Sequence, residues 1–199
     1  MGKRLGRKRL YALEKLGESS GMSAGLGVNS AIGNSTTSRD GHEIMTEITI
    51  DLACAAGALS SPGTANLPIA FSQSAAGVQV GGGGHLGQVT TATNGLITLA
   101  EVTCVEAPAG SNVKTDIDFS FADTADVQFS ASLTGRADLV VGGGAWELGE
   151  SISNTFDAAE VQDHYLYMTV GSATDGLEGT YTAGKYIIRL HGYAVFDDV

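Results

Sequence analysis

The chain is predicted to fold as an all-β protein, an antiparallel β-sandwich or jelly roll carrying an N-terminal basic helical arm on a flexible tether. Three observations lead there. From His42 onward apolar side chains recur with a period of two, the signature of strands with one buried face. Glycine is abundant, 28 of 199 residues against three prolines, and it gathers at the ends of those runs, where turns need positive φ. No stretch of helical periodicity separates the runs, so the crossovers a parallel sheet would need are missing.

The elements follow in order. Residues 1–17, MGKRLGRKRLYALEKLG, read as a short helix from Lys3 to Leu16 stopped by Gly17. On a helical wheel Leu5, Leu10, Ala12, Leu13 and Leu16 share one side, and Lys3, Arg4, Arg7, Lys8 and Lys15 share the other. Arg9 interrupts the apolar stripe and Gly6 weakens the helix, so the arm is expected to order only when its leucines find a surface. Residues 18–42, ESSGMSAGLGVNSAIGNSTTSRDGH, hold five glycines and six serines with neither strand nor helix periodicity, and read as a tether. A flexible coil of that length reaches about 25–30 Å, enough to place the arm on another subunit.

Residues 43–199 form the predicted sandwich domain. In EIMTEITIDLAC, Ile44, Ile48, Ile50, Leu52 and Cys54 share one face while Met45, Glu47, Thr49 and Asp51 share the other. Comparable runs follow at 66–72, 86–91, 96–106, 115–121, 127–133, 137–141, 146–156, 164–170 and 185–196, separated by clusters such as Ser61-Pro62-Gly63 and Pro108-Ala109-Gly110. Asn94-Gly95 is the clearest hairpin signal, and Gly192 marks an expected bulge in the last strand.

Motifs that would carry chemistry fail on context. Gly82-x-Gly84-x-x-Gly87 fits a dinucleotide loop, but no helix follows it. The two GxSxG matches around Ser19 and Ser23 lie in the tether, where no strand can hold the serine against a base. His42, His85, His164 and His191 have no metal-ligand spacing, and both cysteines, Cys54 and Cys104, sit in apolar runs as expected of buried free thiols. Asp116, Asp118, Asp123 and Asp126 open like a calcium loop, yet Phe121 and Val127 replace the required glycine and glutamate. Glu147 and Glu150, three apart in a strand, would point to opposite faces rather than converge on one glycosidic bond. No catalytic residue, cofactor site or metal site is therefore assigned. Asn34-Ser35-Thr36 is a glycosylation sequon, but no secretory signal precedes it, and no apolar run approaches the roughly 18 residues of a membrane span.

The charge is divided. Residues 1–17 hold six of the eleven Lys and Arg side chains against one acid, so an arm of +5 precedes a body of −16, within the total of −11. The acidic body opposes nucleic acid, and the leucine stripe suits docking into a groove on an acidic partner better than a purely electrostatic contact. Lys3, Arg4, Leu5, Arg7, Lys8, Leu10, Leu13, Lys15 and Leu16 are the candidate partner-binding residues.

The arm GKRLGRKRLYALEKL, the Gly/Ser/Thr stretch, the opening strand DGHEIMTEITIDLA and the closing strand YTAGKYIIRLHGYAVF together resemble the plan of a virion structural protein of a tailed bacteriophage, of the capsid-decoration (cement) or minor head-protein kind. That resemblance implies a non-enzymatic homo-oligomeric protein bound in many copies to an icosahedral head, with the major capsid protein, other virion subunits and its own copies as partners. It implies location in the virion head, and in the host cytoplasm before assembly. It implies no small-molecule substrate, membrane or nucleic acid. The alternative is a carbohydrate- or surface-binding β-sandwich with Trp146 and the tyrosines Tyr165, Tyr167, Tyr181 and Tyr193 as platforms.

Overall fold

A computed structural model describes residues 19–54, 57–72, 83–141, 143–155, 157, 160–171 and 177–195. Among them the chain forms β1 (Ser19–Ser20), β2 (Ile32–Asp40), β3 (Glu43–Asp51), β4 (Ser60–Ser61), β5 (His85–Gln88), a single helical turn α1 (Thr91–Asn94), β6 (Leu96–Ser111), β7 (Ile117–Ala122), β8 (Ala137–Val140), β9 (Ser151–Thr155), β10 (Tyr165–Val170) and β11 (Gly179–Tyr193). All strand pairs are antiparallel. The larger sheet runs β1-β2-β3-β11-β6-β9 with β4 also pairing β11, and the smaller runs β5-β10-β7-β8. This is the all-β sandwich that the periodicity predicts.

The core lies between the sheets because the alternation of each long strand is resolved into one inward face. Ile44, Ile48 and Ile50 of β3, Ile97, Val102 and Cys104 of β6, and Tyr186, Ile188 and Leu190 of β11 are buried from one side. Ile117, Phe119 and Phe121 of β7 and Leu166, Met168 and Val170 of β10 meet them from the other. Trp146 seals this layer: its Nε1–H donates to the Ile117 carbonyl at 2.7 Å, and its ring stands edge-on to Phe119 and Tyr186.

Several expectations are corrected. Residues 19–42 are not a free tether. β2 pairs with β3 along its length, and Met22, Val28 and Ala31 are buried in the core. The glycines there serve close approach rather than flexibility: Gly25 N–H donates to the His85 carbonyl at 2.8 Å and Gly27 N–H to the Gly83 carbonyl at 3.1 Å. A Cβ on Gly25 would lie 2.0 Å from the Gly83 oxygen. β2 escapes a periodicity test because its inward side chain is Thr37, whose Oγ1 lies 3.1 Å from that of Thr46.

Asn94-Gly95 does not turn a hairpin, since the preceding β5 belongs to the smaller sheet and the following β6 to the larger. Thr90 caps α1 through its side chain, and Gly95 at φ 67° ends it, so the pair marks a passage between sheets. β6 also continues through Pro108, where register shifts against β11 spare the strand a lost ladder bond. Residues 127–133 form no strand, and 146–150 turn before β9 begins. At Gly192 the expected bulge is present as a register shift between His191 and Gly192.

Candidate interaction surface

The outer face of the larger sheet is built by the side chains that alternate with the core. Antiparallel register stacks them into rungs across the strands. One rung joins Thr36, Glu47, Arg189, Glu101 and Ser153, in which Arg189 Nε donates to Glu47 at 2.9 Å. Beyond it runs Ser38, Met45, His191, Leu99 and Thr155, where His191 Nε2 lies 3.2 Å from Glu101. The last rung places Asp40 opposite Glu43, Glu43 opposite Tyr193 and Tyr193 opposite Leu96. At the other end of the face Lys185 lies 3.2 Å from Glu106 and 3.7 Å from Asp51, and these carboxylates raise its pKa, Glu106 foremost.

Between the last two rungs is a groove of ≈ 410 Å³ that runs across the strands from β2 to β6. Met45 and Leu99 supply an apolar floor, Tyr193 a half-exposed aromatic edge, and Asp40 and Glu43 an acidic rim. Neither acid has an ion-pair partner among the described residues. This concave, apolar-floored and anionic face is suited to a cationic amphipathic segment. The sequence did not announce it, because its members belong mostly to the outward half of ordinary strand alternation, collected only by the register of four strands, β2, β3, β11 and β6.

The predicted partner-binding residues, Lys3 to Leu16, lie outside the described residues. Trp146 is buried to 3% exposure and cannot present its ring to a sugar. Tyr167 and Tyr181 are likewise fully buried; their phenols donate to the Thr124 and Lys114 carbonyls, and burial pushes Tyr167 up to about 12 and Tyr181 higher still. The aromatic platform of the carbohydrate reading is thus withdrawn for these three residues.

Ionisable groups elsewhere are dispersed into pairs. Arg136 bridges Asp118 at 3.6 Å and Asp138, and its Nε donates to Ser120 Oγ at 3.2 Å. His164 Nε2 lies 3.0 Å from Asp123. His85 stacks edge-on to Tyr165 at 5.1 Å, and burial lowers its pKa against the weaker pull of Asp126. Asp116, Asp118, Asp123 and Asp126 therefore serve different neighbourhoods, and among the described residues no group of three or more His, Cys, Asp or Glu side chains could hold a metal ion. Glu147 and Glu150 close a turn, with Glu147 N–H donating to the Glu150 carboxylate at 2.9 Å. Both cysteines are free thiols; Cys104 is buried and desolvation raises its pKa, whereas Cys54 is half-buried. Ser23 is exposed, and Asn34 is exposed on β2. No helix of the described residues is long and apolar enough to cross a membrane.

Comparisons with protein families, with curated proteins and with solved structures find no match for this chain.

Proposed function

We propose that the protein is a non-enzymatic structural component that decorates and stabilises the head of a tailed bacteriophage, anchored through its basic N-terminal arm on the shell or on neighbouring copies. The observation that carries this reading is the division of charge. A leucine-striped cation of +5 precedes a body of −16, and such a body repels its own copies unless an arm bridges them. The framework suits the role: long central strands, β6 of 16 residues and β11 of 15, bind the larger sheet along most of their length and give a rigid block to place on a surface. Exchange of the arm between subunits would supply both affinity, through its leucines, and register, through its charges. Many weak contacts of this kind gain strength by multivalency on a repeating shell.

The test is compositional. Purified heads that encode this chain should contain it in many copies, accessible to surface labelling from outside. Heads that lack it, or that hold it only inside, contradict the reading.

A further inference from the structure

We propose that the outer-sheet groove is the seat of this chain's own N-terminal arm, residues 3–16, in the free protein. This deepens the reading of the arm as a docking element but does not depend on the identity of the assembly.

Three observations converge. The first is direction. β1 pairs antiparallel with β2, with Ser19 opposite Thr37 and Ser20 opposite Thr36, so the chain enters β1 from the Asp40 end of β2. That is the end at which the groove opens, and the groove begins on β2, one strand from β1. Only Gly17 and Glu18 separate Leu16 from Ser19, because residues 19–42 are consumed by the sheet and its packing. The arm therefore starts beside its own groove, not at the end of a long tether.

The second is length. The groove crosses from β2 to β6, three interstrand spacings or about 14 Å, and fourteen residues as a helix span about 21 Å. The third is chemistry. Met45, Leu99 and Tyr193 match the leucine stripe, while Asp40 and Glu43 face the side on which the arm carries Lys3, Arg4, Arg7, Lys8 and Lys15. Glu47 and Glu101 stand one rung away, already engaged by Arg189 and His191, so the acids of the groove that have no ion pair among the described residues lie on the Asp40 side and set the orientation. A tethered segment also has a local concentration that no separate copy matches at ordinary dilution.

Seating in this groove would keep the leucines covered until an assembly partner that binds the arm more tightly draws it out. Limited trypsin digestion of the full chain tests it without any partner, so its failure is separable from that of the assembly reading. In the full chain the arm should be cut roughly tenfold more slowly than a free peptide of residues 1–19, as expected for a locally closed segment, and at a rate independent of protein concentration. The double variant Asp40→Lys, Glu43→Lys should restore the peptide rate while the body remains folded by circular dichroism. Cleavage of the full chain at the peptide rate overturns the proposal. So does protection that survives the double variant, or protection that grows with concentration alongside a dimer in sedimentation velocity, which would assign the groove to a second copy.

Discussion

Single side chains show where this sandwich is least tolerant. Gly25 approaches the Gly83 carbonyl so closely that even a methyl group must displace backbone, and Gly25→Ala is expected to cost about 2–3 kcal/mol in urea unfolding. Trp146, a candidate sugar platform in the sequence, is a core residue in the fold, and its bond to Ile117 of β7 was not legible because that partner lies 29 residues away. Trp146→Ala should lower stability by about 3–5 kcal/mol, while an unchanged unfolding midpoint would remove the ring from the core. His85 gives a pH signature. Burial holds its folded pKa below the ordinary 6.5, so the unfolded chain takes up more protons as pH falls through that value. Its contribution to stability is complete above the unfolded value and declines on acidification. His85→Gln should therefore flatten the fall in unfolding free energy between about pH 7 and pH 5; an identical slope in the variant would contradict this.

At the scale of elements, strands with an apolar inward face were legible and strands held by polar contacts were not. β3 and β11 declare themselves through Ile44, Ile48 and Ile50, and through Tyr186, Ile188 and Leu190. β2 does not, because Thr37 meets Thr46, and Thr46 in turn accepts from Asn94 Nδ2 at 2.8 Å. The same Asn94 takes the Thr90 N–H at 2.9 Å, so one amide ties α1 to the larger sheet. Asn94→Ala should strand these buried groups and cost about 1–3 kcal/mol, measurable as a lowered midpoint without loss of β-type circular dichroism. The Asn94-Gly95 signal was sound chemistry in the wrong setting: Gly95 does adopt positive φ, yet it ends a helical turn between sheets. Local turn propensity specifies a reversal of backbone, whereas the partner strand is chosen by long-range packing.

For the whole molecule the consequence is that the described fold begins at Ser19, where the sequence suggested a tether reaching to His42. Gly/Ser richness was read as slack, and in the fold that segment is fastened to both sheets: Gly21 N–H donates to Ser35 of β2, and Gly25 and Gly27 donate to His85 and Gly83. The acidic surface is likewise organised, with Arg189 and Lys185 each placed among carboxylates on the outer face and, at its end, Asp40 and Glu43, which have no ion-pair partner among the described residues. Exposed pairs of this kind contribute little to stability, so their value lies in setting the charge that an incoming cation meets. The candidate groove was illegible because it exists only once β2, β3, β11 and β6 are in register.

The central claim is that residues 1–17 are the anchor of an assembly rather than a part of the sandwich, and it is tested most directly by removing them. Full-length chain and a chain beginning at Glu18 would be titrated onto heads stripped of this protein and separated by sedimentation. The account predicts that the shortened chain still folds cooperatively, its midpoint lowered only by the small loss of the arm's own seating, but no longer sediments with the heads. Equal saturation of the heads by both chains would contradict it.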